Sequence, residues 1–372
     1  MSRTRSAQSG LTMIELLLAV AILSGLMVLV FQLIDRSLSV WRKAETRRSL
    51  MEQSATVMEL LTTDLRGLES GRRGDLLLEW VRFDTDGDGV LDHKWPRLRL
   101  VRQASAREVG ELMAEAERAA GDLDDAQLAR LEEIRRRRPT SALVEVLWMV
   151  APLSQKPDAR AEGVFWRGQR LVEHPAGKSF FAPDFLGTSG RPPAGATEEV
   201  TGGVLWCQVL CAAMSSIVKD GWEIGLEPRD AAASWDARGA ARPDRNSHPW
   251  NESHAAFQGT RSRVVLPRRV RIDLEFERPT DRDRRTRLTE PIELGEARLR
   301  VDDGQRLPPV GSHVLIDSEW MKILSVDADT CTVARGQRGT APLSHAAGAM
   351  VHFGEALSRE VVVLTSREDW TQ

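Results

Sequence analysis

One segment near the N-terminus constrains this 372-residue chain more than any other part of its sequence. Residues 11–34 have the sequence LTMIELLLAVAILSGLMVLVFQLI, in which Glu15 is the one charged side chain. About 20 consecutive apolar residues suffice for a helix to cross a bilayer. Arg3 and Arg5 precede the segment and favour an N-terminus in the cytoplasm, with the remainder of the chain outside. The segment therefore predicts a single-pass membrane protein.

The small residue and the acid set this segment apart from an ordinary secretory signal. Such a signal places its small-residue cleavage site after the apolar stretch, whereas Gly10 stands before it. A carboxylate in a membrane helix costs a few kcal/mol unless it finds a partner. Cleavage after Gly10 would free the amine of Leu11, four residues from Glu15 and on the same helical face. The two groups could pair within one molecule or between neighbours. The alternative is a plain signal anchor in which Glu15 has no role.

The stretch GLTMIELLLAVAIL resembles the leader-peptidase and N-methylation motif of type IV prepilins and type II secretion pseudopilins. The resemblance implies a leader of residues 1–10, cleavage after Gly10 by a prepilin peptidase, and methylation of the new N-terminal Leu11. The family usually has Phe at that position. The resemblance further implies that Glu15 pairs with the N-terminus of a neighbouring subunit during assembly.

The helical pattern continues beyond the predicted transmembrane helix of residues 11–35. Apolar residues recur at spacings of three, four and seven, with charged residues between them, at Leu50, Val57, Leu61, Leu65 and Leu68. The pattern predicts one helix from about Thr12 to Leu68, on the order of 85 Å long at 1.5 Å per residue. Its outer half, residues 36–70, is expected to lie against a sheet.

Downstream of this helix the apolar periodicity changes to two, which is typical of strands. We expect strands at residues 75–83, 97–101, 142–150, 164–172, 202–214, 222–226 and 268–277. A turn is expected within residues 164–172 at Arg167–Gln169. In the last strand Val270, Ile272, Leu274 and Phe276 alternate with Arg271, Asp273 and Glu275. The pattern predicts an α+β fold in which a long N-terminal transmembrane and stalk helix packs on an antiparallel sheet with one buried face.

The body, residues 71–289, is expected to carry two insertions and to be followed by a third. We expect a helical hairpin at residues 104–138, with its turn near Gly121. We expect a long loop at residues 228–262, because that stretch is rich in Pro, Gly, Asn and Ser. Residues 290–354 predict a compact β module and are similar to stretches within secreted and phage-type proteins. In that module Gly336, Gly339 and His345 are expected to be turn and packing residues.

Two later stretches resemble the minor pseudopilin called J, or its pilus counterpart W, more than the small major pilins. The Trp-rich region that leads into LPRRVRIDLEFE is similar to a late strand of that group. The sequence SREVVVLTSR, within residues 355–372, is similar to its closing strand.

A second chemical signal lies between the first two predicted strands, in the sequence DTDGDGVLD. Oxygen ligands at alternate positions followed by glycine are typical of calcium loops. The ligands would be Asp84, Asp86, Asp88, the backbone carbonyl of Val90, and Asp92. Trp95 occupies the position of the bidentate Glu of an EF-hand, so Asp92 would have to serve in its place. The alternative is a polar turn, because Asp-Gly pairs form turns readily. We expect at most a structural Ca²⁺ and no required cofactor.

Several function classes find little support in the sequence. A net charge of −3 argues against a nucleic-acid partner. The three cysteines are too few for a disulfide framework or a zinc site, although a Cys207–Cys211 bond is conceivable. The sequence has no G-x-S-x-G, P-loop, HExxH or Rossmann glycine pattern. We therefore expect a protein that is not an enzyme.

The resemblance implies a minor pseudopilin at or near the tip of a type II secretion pseudopilus, where it initiates assembly and aids protein export. The implied location is the inner membrane, with the body in the periplasm. The implied partners are the prepilin peptidase, other minor and major pseudopilins, the inner-membrane assembly platform and exported proteins. Two alternatives stay open: a minor pilin of a type IV pilus, and a membrane-anchored calcium-binding protein that does not polymerise.

Overall fold

The computed structural model of the chain divides into two compact units, Met1–Met51 and Glu52–Gln372. It describes residues 13–83, 93–118, 124–137, 142–152, 162–173, 178–182, 184–185, 195–212, 231–232, 234–238, 264, 266–277 and 285–363.

The first element is helix α1, Met13–Arg66, which runs without a break for 54 residues. No proline interrupts it. Ser24, Thr56, Thr62 and Thr63 each donate a hydrogen bond to the carbonyl four residues earlier. The predicted bounds, Thr12 and Leu68, are within two residues of the observed ones. A long N-terminal apolar helix is therefore confirmed.

The described part of the chain contains two further helices and fourteen strands. The helices are α2, Ala106–Arg118, and α3, Asp125–Arg137. The strands are β1 Leu76–Phe83, β2 His93–Ala104, β3 Ala142–Pro152, β4 Gly163–Leu171, β5 Glu198–Ala212, β6 Ala231–Ala232, β7 Trp235–Asp236, β8 Arg269–Glu277, β9 Arg298–Arg300, β10 His313–Ile316, β11 Glu319–Asp327, β12 Thr330–Gln337, β13 Val351–His352 and β14 Gly354–Val362.

Nine of these strands form one large antiparallel sheet, in the order β14-β8-β5-β4-β3-β2-β1-β7, with β6 paired to β5. The mixed α+β class with a large antiparallel sheet is confirmed. One expected strand, residues 222–226, lies outside the described residues, and so does most of the expected loop at residues 228–262.

The C-terminal part of α1 packs on one face of this sheet. Val57, Leu61 and Leu65 are buried there. Helices α2 and α3 lie between β2 and β3 in the chain, where the hairpin was expected, and the expected turn near Gly121 lies outside the described residues. Arg102 of β2 pairs with Asp64 of α1 and also with α2, so it ties both helices to the same face.

The expectation of a single buried face is wrong. In β3 the side chains of Val146 and Trp148 point to the α1 face while Leu147 and Met149 point to the other, and all four are buried. Residues 178–182 and 184–185 cover part of this second face, where they also satisfy charged side chains. Glu79, Arg97, Arg99 and Glu145 lie buried on this second face, and such charged residues made it look solvent-exposed in sequence.

Two local expectations are also wrong. Strand β4 has no turn at Arg167–Gln169, because it pairs with β3 along its whole length and Gly168 lies opposite Leu147. A Cβ on Gly168 would lie 2.8 Å from the Ala196 carbonyl oxygen, so glycine there permits close packing. In β8, Glu275 is buried and does not face solvent, because it pairs with Arg338 from the later module.

The other five strands form a smaller sheet, in the order β13-β10-β11-β12-β9, inserted between β8 and β14. Residues 286–289 close this sheet on itself. The Leu288 N–H donates to the Ala349 carbonyl next to β13, and the Thr289 N–H donates to the Arg300 carbonyl of β9. The enclosed core includes Leu288, Leu299, Val314, Met321, Val333 and Val351.

The small sheet is fixed to the large one by an aromatic and charged contact. The rings of Trp206 and Trp320 meet edge to face at 6.0 Å between centroids. Arg338 lies over both rings and pairs with Glu275 of β8 at 2.7 Å. The two sheets therefore share an interface that is both apolar and charge-paired.

Candidate functional site

The residues expected to direct processing lie at the beginning of the chain. Gly10 and Leu11 belong to residues 1–12, outside the described residues. Glu15 is the third residue of α1. Its backbone is therefore helical.

The apolar part of α1 covers Leu16–Leu38, with a mean hydropathy of 2.7. Its large side chains are exposed around the helix, including Leu17, Leu23, Leu29 and Phe31. A helix that is apolar on every side is stable when lipid or other apolar helices surround it. The length and composition fit a membrane span or a signal sequence.

No protein-family model matches this chain, and no curated protein matches it.

A buried ion-pair cluster joins α1 to the sheet, and the sequence did not reveal it. The Asp64 side chain is buried and accepts hydrogen bonds from the Trp148 indole N–H at 2.7 Å and from Arg167 at 2.8 and 2.9 Å. Arg102 pairs with the same carboxylate at 2.7 Å. The signal available in sequence was an acid among the apolar positions of the stalk helix, next to Leu61 and Leu65.

Arg102 also joins this cluster to α2 through Glu108, at 2.7 Å. The hydrogen bond from Arg102 lowers the pKa of Glu108 to about 2. The Ser105 N–H and hydroxyl donate to the same carboxylate, which caps the start of α2. Helix α2 is thereby held to the strand that precedes it.

The candidate calcium ligands Asp84, Asp86, Asp88, Val90 and Asp92 all lie outside the described residues. The flanking strands are described, and they pair as a hairpin in which Phe83 faces His93. The acidic segment is therefore the connection at the end of the β1–β2 hairpin. Within the described part of the chain, no group of three or more His, Cys, Asp or Glu side chains could hold a metal ion.

Another buried polar cluster lies in the small sheet, around His345. Its Nδ1 lies 2.6 Å from Asp317 and its Nε2 lies 2.9 Å from Glu319, and the imidazole is fully buried. Arg335 donates two hydrogen bonds to Glu319, at 2.7 and 2.6 Å. Burial opposes the imidazolium charge, but the two carboxylates outweigh it and raise the pKa of His345.

The same contacts act on Glu319. Burial alone would raise the pKa of Glu319, but hydrogen bonds from Arg335, from the Leu343 N–H and from His345 lower it to about 2. The imidazole is enclosed, and its contacts join Asp317, Glu319 and the segment around Leu343. His345 was expected to be a turn and packing residue, and it also carries this ion pairing. Gly336 and Gly339 have positive φ values, of 60° and 78°, as turn glycines do.

A second buried cluster marks the place where the chain enters and leaves the module. Glu277, at the end of β8, pairs with Arg285 at 2.5 Å and lies 3.1 Å from His352. Arg285 also reaches Glu162 at 3.3 Å. The segment that enters the module after β8 and the segment that leaves it before β14 are therefore tied to each other and to the start of β4.

The three cysteines are buried and free. Cys207 and Cys211 are four residues apart on β5, about 13 Å at 3.3 Å per residue. A disulfide needs Cα atoms no more than about 7 Å apart. The conceivable Cys207–Cys211 bond is therefore excluded by the strand that contains both residues. Burial raises the pKa of both thiols and raises that of Cys331 to about 11.

Proposed function

We propose that the chain is a minor pseudopilin, a structural subunit that assembles at or near the tip of a type II secretion pseudopilus. The observation that carries this proposal is the helix α1. It begins at the apolar N-terminal segment and continues without a break to Arg66, where its last turns are buried on an antiparallel sheet. The N-terminal end of the helix is apolar and exposed, and its C-terminal end packs on a sheet. This suits a subunit whose N-terminal helix is held in the membrane before assembly.

The proposed assembly step uses Glu15. A prepilin peptidase would cleave after Gly10 and methylate Leu11, and the carboxylate of one subunit would then dock on the N-terminal amine of a neighbour. That contact offsets the cost of a carboxylate in an apolar surrounding. The large body, with its inserted module and helical hairpin, suits a tip position better than a repeating shaft.

The deciding experiment identifies the mature N-terminal residue by mass spectrometry, on protein co-expressed with a prepilin peptidase. We expect a chain that begins with methylated Leu11, and a Gly10→Val variant that stays uncut. An intact Met1, or cleavage beyond residue 30, would overturn the pseudopilin assignment.

Glu15→Ala separates an assembling subunit from a simple anchor. The variant is expected to insert into the membrane and to be cleaved normally, yet to fail to cross-link with partner pseudopilins. Glu45→Ala, which lies beyond the apolar segment of the same helix, is the matched control. Normal cross-linking of the Glu15 variant would favour a membrane-anchored protein that does not polymerise.

A further inference from the structure

The small sheet leaves part of its edge strand β9 uncovered. A cleft of about 570 Å³ lies between residues 290–292 and β9, and Arg298, Arg300 and Thr330 are among the residues that line it. Its volume falls in the range of about 300–1,000 Å³ that is typical of ligand clefts.

Hydrogen bonding along β9 determines which backbone groups face this cleft. The Val333 N–H donates to the Ala297 carbonyl at 2.8 Å, and the Val301 N–H donates to the Asp329 carbonyl at 2.9 Å. Residues of an antiparallel strand alternate between its two neighbours. The N–H and C=O groups of Arg298 and Arg300 therefore point away from β12 and toward residues 289–291.

A proline ends the ladder on that side. The Thr289 N–H donates to the Arg300 carbonyl at 2.9 Å, and continuing this register places Pro291 opposite Arg298. Proline has no N–H to donate. The chain leaves β9 there, and Ile292 pairs with His345 instead. Within residues 285–363, which the structure describes throughout, no backbone hydrogen bond joins Arg298 to residues 290–292.

Two cationic side chains lie on this open edge, and the carboxylates of Glu290 and Glu296 also line the cleft. Arg298 and Arg300 are two residues apart and exposed on one face of β9, while Leu299 points into the core. Arg300 pairs with Glu290 at 3.0 Å, but both side chains are about 60% exposed, so the pair is weak. Among the described residues, the ion pair on β9 belongs to Arg300, and none includes Arg298.

We propose that this cleft binds an extended peptide segment, which adds to β9 as a further strand and places an acidic side chain beside Arg298. The Arg298 N–H and C=O supply the main-chain hydrogen bonds of such strand addition. The guanidinium supplies side-chain preference, because directly opposed residues of paired strands lie about 5 Å apart and opposite charges attract there. Arg335 donates to the carbonyls of Glu293 and Glu296, which ties the wall of the cleft to the Glu319–His345 pair.

The test uses the full chain in detergent micelles and two fluorescein-labelled heptapeptides, one alternating Val with Glu and the other alternating Val with Lys. Fluorescence anisotropy measures their dissociation constants. We expect the Glu peptide to bind at least tenfold more tightly than the Lys peptide. Methylating the peptide's backbone nitrogens should abolish binding, because strand addition requires those N–H groups.

Two variants locate the binding. Arg298→Glu should reverse the preference between the peptides, and Arg298→Gln should remove it while leaving the far-ultraviolet circular dichroism unchanged. Arg136→Glu is the matched control, because it reverses an exposed arginine on α3 and should change neither constant. No saturable binding of the Glu peptide up to millimolar concentration, or an unchanged constant in both Arg298 variants, would overturn the inference. Peptide binding at β9 requires no pilin assembly, so either role can fail without the other.

Discussion

The buried carboxylate of Asp64 gives the sharpest test of how the stalk helix is held to the sheet. The perturbation is Asp64→Asn, which keeps the size of the side chain but removes its charge. In the native chain this carboxylate is buried and meets Trp148, Arg167 and Arg102, all at 2.7–2.9 Å. The substitution leaves two arginine side chains facing a neutral group.

The expected magnitude follows from burial. Removing one partner of a buried ion pair costs about 3–5 kcal/mol, since the remaining charge is left without compensation. Asparagine keeps one acceptor oxygen for the Trp148 indole, and Arg102 keeps its pair with Glu108. We therefore expect Asp64→Asn to lower the free energy of unfolding by about 3 kcal/mol, the lower end of that range.

The assay is urea unfolding, followed by circular dichroism, of a soluble fragment that begins at Ser37. Glu59→Gln is the matched control on the same helix, because Glu59 pairs with Arg359 at 3.2 Å with side chains that are 69% and 36% exposed. The control should lose less than about 1 kcal/mol. If Asp64→Asn also loses less than about 1 kcal/mol, the buried cluster does not hold the helix to the sheet and the reasoning fails.

Three further predictions concern metal, pH and thiols. Millimolar Ca²⁺ should raise the melting temperature of the wild-type body by a few degrees, and an equal rise in Asp86→Asn would refute a calcium site at residues 84–92. His345→Gln should cost most stability below pH 6.5, because a raised folded-state pKa adds stability at low pH that is lost as pH rises through that value. A cost independent of pH would refute an imidazolium in the module. The three cysteines should react with a thiol reagent only after denaturation, and rapid reaction of the native chain would contradict their burial.

Local periodicity predicted the elements well where neighbours in sequence set the pattern. The helix bounds Thr12–Leu68 and the apolar alternation from Val270 to Phe276 are two examples, since a helix needs its own turns and a strand needs its own alternation. The two helices within residues 104–138 followed from the same kind of reasoning.

The errors came from contacts between residues far apart in sequence. Glu275 looked solvent-exposed, yet it is buried because Arg338, 63 residues later, pairs with it. Gly168 looked like a turn, yet it is a point of close approach to Ala196 and Phe180. No window of local sequence contains these partners.

The sequence by itself determined the apolar N-terminal helix, the strand-rich body and the positions of the candidate processing and calcium residues. Tertiary structure alone decided that Asp64 is buried against Trp148 and two arginines, and that Pro291 leaves Arg298 uncovered at a sheet edge. The physical reason is the range of the forces involved. Helix and strand formation depend on residues within a few positions, whereas burying a charge or leaving an edge open depends on which distant segments the fold brings together.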